Sequence, residues 1–299
     1  MLAHLQQLMV ASVVLAATAW GAIWSRNAHA FVAIVGVVAI VFGYAVLLAV
    51  EFGLMWAINR AEPSARARPN QVFSAWWSEV LAMPRVFAWA QPFREHVQAD
   101  NASPGSGLHA VLLVHGFVCN RALWNRWMQR LRGQHVPFIG LSLEPVFGSI
   151  DAYVAPIDAA VRRLAAVTGR PVVIAAHSMG GLAIRAWMAT CKDSDELVRH
   201  VITMGTPHHG TFLARWALSR NAREMRVSGE WLRQLAAREP DARYGRFTCY
   251  YSHCDNIVFP AHSATLAGAD NRHLNAAAHV AMLERPEIFD ELLRWVRPK

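Results

Sequence analysis

Charge is missing from the start of this chain. Apart from His4, nothing ionisable precedes Arg26, and residues 30–50, AFVAIVGVVAIVFGYAVLLAV, carry no charge at all. A stretch so depleted has no means of staying solvated. Residues 8–24 come close to the roughly 17–25 apolar residues of a membrane helix, and residues 30–50 meet that length. The short link 25–29 makes the pair read as a helical hairpin. Lys and Arg are also absent ahead of the first run, which argues against a cleaved secretory signal although Ala28-His29-Ala30 has the A-x-A form. Arg26 beside that site, and the second run directly after it, argue the same way. Two spans are favoured, with the cleaved signal as the alternative.

Metal clusters and nucleic-acid binding find no support either. The four cysteines, Cys119, Cys191, Cys249 and Cys254, are scattered without C-x-x-C spacing. They read as small buried residues of a reducing compartment; an oxidising one would offer Cys249 and Cys254 as a pair. The net charge of +8 comes almost wholly from arginine. No basic run with interleaved aromatics and no recognised binding module accompanies it, so no nucleic-acid partner is expected. Internal repeats are absent.

What is present divides the chain in three. Residues 1–58 form the expected membrane anchor. Residues 59–107 combine a Pro- and Arg-containing linker, NRAEPSARARPN, with a segment whose Trp76, Trp77 and Trp89 suit either a membrane-interface belt or packing on the later domain, the second being favoured. From residue 108 the texture changes. The runs AVLLVH, PFIGLSL, PVVIAAH, HVITMG and FTCYYSH are unalternated, rich in Val and Ile and separated by helical periods. That pattern predicts an α/β domain, 108–299, with a mostly parallel sheet covered by helices on both faces. Gly169 is expected to end one helix and Pro286 to open the last.

Within it, Ser178 stands between the strand PVVIAAH and the helical stretch GLAIRAWMATC. A strand, a sharp turn at Ser-Met-Gly and a helix make up a nucleophile elbow. The signature G-x-S-x-G has Ala176 at its first position here, but that position needs only a small side chain where strand and helix pass closely. With AHSMGG nearly verbatim, residues 108–296 resemble the α/β-hydrolase lipases and esterases of bacteria, some of which carry A-x-S-x-G. The resemblance extends to LLVHGF (112–117), TMGTPHHGT (203–211), CDNIVFP (254–260) and AAHVAML (277–283), in the order of that family. It implies a triad of Ser178, Asp255 and His279, with the N–H groups of Phe117 and Met179 as oxyanion hole. A serine hydroxyl is a weak nucleophile until an imidazole takes its proton, and a carboxylate fixes the imidazole tautomer and stabilises its cation. No metal or organic cofactor is required.

Each residue has competitors. Asp270 competes with Asp255 and is read as a turn residue sharing a loop with His279; His253, His262 and His273 compete with His279. His115, His177, His208 and His209 raise the thought of a metal site, against which backbone hydrogen bonding is favoured. Residues 211–245 occupy the place of a cap, its apolar residues interspersed with arginines; a packed amphipathic pair and a lid that touches lipid stand level. The expected function is a membrane-tethered serine hydrolase of lipid or other apolar acyl esters. An acyltransferase or thioesterase on the same triad, and a non-catalytic membrane scaffold, are the alternatives. Arg60, Arg66 and Arg68 after the second run, against Arg26 between the runs, place the domain on the cytoplasmic face of a bacterial inner membrane, the periplasmic side being the alternative.

Overall fold

A computed structural model describes residues 1–26, 29–61, 66–104 and 107–298. Ala28 of the A-x-A site, the middle of the linker (62–65), residues 105–106 and Lys299 lie outside the described residues.

Strands β1 (Val111–Val114), β2 (Phe138–Gly140), β3 (Val172–His177), β4 (Val198–Met204), β5 (Phe247–Tyr251) and β6 (Asp270–His273) form one sheet in the order β2-β1-β3-β4-β5-β6. Every pairing is parallel. Successive side chains of a strand point to opposite faces, so Leu112, Val114, Ile174 and Ala176 enter one core while Val111, Leu113, Val173 and Ala175 enter another. Helices Val154–Thr168 and Met179–Thr190 cover the first face, Asn125–Gly133 and Pro286–Val296 the second. Burial on both sides is why these strands read as unbroken apolar runs. Gly169 ends its helix at φ 63°, and Pro286 opens the last one.

The sixth strand was not expected. Its sequence, Asp-Asn-Arg-His, is polar and largely exposed, because an edge strand with one neighbour needs no buried face. Asp270 is therefore not a turn residue near His279. It opens β6, opposite Thr248, and is bound to Arg272 at 2.6 Å.

Two long apolar helices, α1 (Leu2–Arg26) and α2 (Ala30–Asn59), pack against each other ahead of this domain. Both are long and apolar enough to cross a membrane. The end of α2 reaches the α/β domain, and the start of α1 meets it at Met1, whose amino group lies 3.7 Å from Glu144, and also bonds the segment ahead of it. Gln6 Nε2 donates to Gln91 Oε1 at 3.2 Å, and Gln7 Nε2 to the Pro92 carbonyl at 2.6 Å. On α2, Leu48, Phe52, Met55 and Asn59 fall on one helical face and are buried, while Val46, Leu47 and Val50 stay exposed.

Helix α3 (Pro69–Met83) then runs back along α2. It begins at a first-turn proline, with Gln71 Oε1 accepting from the Arg68 amide at 2.7 Å. Pro84 has no N–H to offer the Val80 carbonyl, and Tyr44 of α2 donates its hydroxyl there instead, at 2.9 Å. The backbone continues past the proline as a π-helix, Pro84–Ala90. Trp76 donates to the Ala45 carbonyl at 3.0 Å and joins Phe52, Met55, Cys254, Phe259 and Ala278 in a cluster shared between the N-terminal helices and the later domain. Trp77 and Trp89 remain half exposed.

The cap region is pinned rather than loose. Met225, Leu232 and Leu235 belong to the core, and Arg185 on helix Met179–Thr190 grips Glu239 at 2.6 Å, both fully buried. Its arginines mostly serve the cap itself. Arg223 donates to the Leu218 carbonyl, Arg226 to Ala214, and Arg215 lies over the Phe212 ring at 3.7 Å, whereas Arg243 ties the cap to Asp195 of the domain. Trp216 and Leu218 remain exposed at its outer edge.

Asn59 makes the firmest polar link between α2 and the domain: its side chain, 3% exposed, donates to the His253 carbonyl and accepts from the Ala261 amide. Replacing Asn59 by Ala removes both bonds in a buried setting. We expect a loss of about 2 kcal/mol, read as a lowered melting temperature of the full chain in detergent.

Candidate active site

Ser178 stands between β3 and helix Met179–Thr190, as the helix N-cap, at φ 55°, ψ −131°. A side chain at positive φ costs roughly 1–3 kcal/mol and persists only where the surroundings impose it. Here the Ser178 amide donates to the Met204 carbonyl at 2.9 Å, and the Ser178 carbonyl accepts from Gly181 at 3.1 Å. The neighbouring strand comes so close that a Cβ on Gly180 would stand 2.6 Å from the His115 carbonyl oxygen. A Cβ on Gly116 would stand 2.6 Å from the Ser178 Cβ. Ala176 is buried in the core, and its small side chain suffices at the position where the signature has glycine.

Phe117 follows Gly116, so its backbone adjoins Ser178 from β1, while Met179 adjoins it as the first residue of the helix. First-turn amides of a helix have no acceptor of their own within it, which leaves Met179 N–H available to a ligand atom. His115 shapes this loop. The Leu143 amide can only donate, and it donates to His115 Nε2 at 2.9 Å; the ring proton therefore sits on Nδ1, which donates to the Gly116 carbonyl at 2.8 Å. Burial pulls the His115 pKa down to about 4, so this neutral tautomer persists.

The structure brings Asp255 and His279 together. His279 Nδ1 lies 3.0 and 2.9 Å from the two Asp255 oxygens, and Asp255 Oδ1 also accepts from the amides of Ile257 and Val258. Both residues are buried. Burial alone would push the His279 pKa down, but the charge and hydrogen bond of Asp255, with the carboxylates of Glu79 and Glu51, outweigh it and carry it upward. Ser178, His279, Gly116 and Phe117 line one cavity of about 190 Å³.

The competing histidines lie elsewhere. His253 and His273 pair with each other at 2.7 Å, and His262 is exposed on a 3₁₀ turn. His177 Nε2 bonds the His279 carbonyl at 3.0 Å, and burial holds its pKa well below the usual value. His208 Nε2 lies 3.1 Å from the Thr203 hydroxyl, and the His209 amide donates to the Ser263 carbonyl. No group of metal-ligating side chains occurs among the described residues.

Three residues at the site escaped the sequence reading. Glu79 on α3, 1% exposed, accepts from the amides of Val280 and Ala281, the two residues after His279. Glu51 on α2 accepts from Asn256, and the Asn256 side chain in turn accepts from the His279 amide. Asn256 lies within CDNIVFP without having been singled out there, and no motif marks the two glutamates. The one signal available was an acidic residue inside the Trp-rich segment, facing the same way as Ala75 and Ala82.

A sequence model of the alpha/beta hydrolase family matches residues 111–288. The chain belongs to this family. No match to a curated protein sequence reaches significance. Among solved structures, this α/β-hydrolase is similar to the mature lipase BlEst2 of Bacillus licheniformis (TM-score 0.58, 16% identity, 67% of this chain and 97% of that one). It is also similar to lipase B of Aspergillus fumigatus (TM-score 0.57, 21% identity, 64% of this chain and 54% of that one). These likenesses are of fold. In both comparisons part of this chain, a third or more, finds no counterpart.

Burial raises the Glu79 pKa to about 7, against the lowering effect of the Val280 and Ala281 amides and of His279. Its negative charge in turn raises the pKa of His279, whose neutral form is the one able to take a proton. Replacing Glu79 by Gln removes that charge, so the His279 pKa should fall and the acid limb of the pH–rate profile should move to lower pH. A limb that stays put or moves upward would exclude the electrostatic coupling.

Proposed function

We propose that this protein is a membrane-anchored serine hydrolase that cleaves carboxylic esters of apolar acyl groups through an acyl-enzyme. The observation that carries the reading is the strained Ser178 lining one cavity with His279, whose Nδ1 is held by the buried Asp255. Ser178 Oγ attacks the ester carbonyl while His279 takes its proton, and the carbonyl oxygen gains negative charge facing the amides of Phe117 and Met179. His279 then gives the proton to the departing alcohol. Water repeats the sequence on the acyl-enzyme, with His279 again accepting and returning a proton. Asp255 holds the Nδ1 proton throughout, aiming Nε2 at the reacting atoms.

An apolar acyl group is favoured by a second cavity, about 570 Å³, that lies under the cap and shares Phe117 and Ile257 with the first. Its walls include Leu213, Trp216 and Met225. A long apolar chain has room there, next to the cavity that Ser178 lines.

Replacing Ser178 by Ala should abolish labelling by a fluorophosphonate probe and lower ester turnover by roughly three orders of magnitude or more, with the melting temperature nearly unchanged. Replacing Asp255 by Asn should cost on the order of a thousandfold in turnover. Full activity of a pure Ser178→Ala preparation would end this reading.

The domain is proposed to face the cytoplasm of a bacterial cell, on the bias of Arg60, Arg66 and Arg68 over Arg26. Met1 at the start of α1 and Asn59 at the end of α2 both reach the domain, as a hairpin with both ends on one side requires. A fluorescent-protein fusion at the C-terminus should glow and an alkaline phosphatase fusion should be inactive; the opposite pair of results would put the domain in the periplasm.

A further inference from the structure

The wall of the catalytic cavity opposite the sheet comes from the N-terminal helices. Leu48 and Glu51 of α2, Glu79 and Met83 of α3, and Phe87 of the π-helix line it together with Ser178 and His279. Leu48 falls inside the uncharged run 30–50, and Glu51 is the first charge after that run. The cavity is therefore level with the first charge along α2. The same level is marked on α1, where Gln6 and Gln7 bond Gln91 and Pro92 just ahead of the apolar run 8–24.

The opposite face of the α3–π segment is apolar and uncovered. Phe73, Trp77 and Leu81, spaced by four, are 63%, 50% and 51% exposed, and Trp89 and Phe93 continue the stripe at 57% and 49%. Ala75, Glu79 and Ala82 of the same helix are buried. A helix with a polar or packed side and a stripe of Trp, Phe and Leu on the other belongs in the boundary between headgroups and acyl chains. α3 lies against α2, whose other side is exposed and apolar: Tyr44 donates to the Val80 carbonyl, and the Ala45 carbonyl accepts from Trp76. A groove of about 310 Å³ between the two helices is lined only by apolar residues, among them Phe52, Trp56, Val72 and Phe73.

From this placement we infer that the α3–π segment lies in the membrane interface, and that the substrate is a bilayer-resident glycerolipid ester reaching Ser178 laterally along the α2–α3 wall. The inference rests on the ester-hydrolase reading above. In a bilayer the ester bonds of glycerolipids sit between headgroup and hydrocarbon, the level at which the cavity stands. Leu48, Met83 and Phe87 meet the lipid's apolar portion, and Glu51 and Glu79 stand at the cavity's polar end. Soluble esters of short chain length fit the same chemistry but make no use of the stripe.

The test uses the full chain reconstituted in phosphatidylcholine–phosphatidylglycerol vesicles, with three readouts: fluorophosphonate labelling, hydrolysis of a soluble butyrate ester, and release of fatty acid from embedded lipid. One vesicle set relies on its own phospholipids as substrate and a second adds diacylglycerol, so the headgroup class is read directly. Trp77→Ser/Trp89→Ser should lower embedded-lipid hydrolysis by about tenfold or more and leave labelling and butyrate turnover unchanged. A vesicle-borne diazirine lipid should crosslink the wild-type protein within residues 69–93 as well as along α2. Equal loss on both substrates, or crosslinks confined to α1 and to residues 30–47, would overturn the inference. So would a wild-type enzyme that labels and cleaves butyrate but spares every embedded ester, an outcome that leaves the hydrolase reading standing. Absence of labelling and of all turnover would remove both.

Discussion

The carboxylate of Glu79 accepts from the amides of Val280 and Ala281, and through those bonds a helix from the N-terminal segment holds the loop that carries His279. A buried carboxylate is costly unless its oxygens are satisfied, and these amides are what make it tolerable. They also fix the height of α3 against the domain. Once α3 is set, Met83 and Phe87 fall over the cavity, and Tyr44 and Trp76 set α2 beside it. The hydrophobic hairpin is thereby part of the site's architecture. A chain beginning at Asn101 would lack Glu51, Asn59 and Glu79 together.

Around His279 the charges and the neutral rings divide the work. Asp255, Glu79 and Glu51 raise its affinity for a proton. His115 and His177, the other two histidines packed nearby, are kept uncharged by burial and act on backbone: one ties Gly116 to Leu143, the other ties the carbonyl of His279 itself. Protonating either would put a second cation within the same buried space. Two of the four histidines that a metal reading would invoke, His115 and His177, are therefore staples of the backbone around His279.

The strain at Ser178 belongs to the same economy of space. The turn is held by Met204 and Gly181 from the backbone side and crowded by Gly116 and Gly180 on the other, so the serine has little freedom to relax. Small residues at 116, 176 and 180 let three chain segments converge.

Much of this was legible in the order of residues. Apolar runs without alternation mark strands buried on two faces, and that pattern is local; five of six strands follow from it, as do the αL glycine at 169, the first-turn proline at 286 and the two long apolar helices. The elbow, the aspartate turn and the histidine loop could be read because each needs particular residue types at fixed spacing. Asp270 could not be placed, since an edge strand is defined by the partner beside it and DNRH carries no periodic signal. Nor could Glu51, Asn59 and Glu79, which lie in helices whose composition speaks of lipid and packing. Their meaning comes from contacts about 200 residues away along the chain. Local sequence determines which elements form and which turn chemistry they bear; only tertiary packing decides which distant amide a buried carboxylate will meet, and so which helix closes the cavity around Ser178.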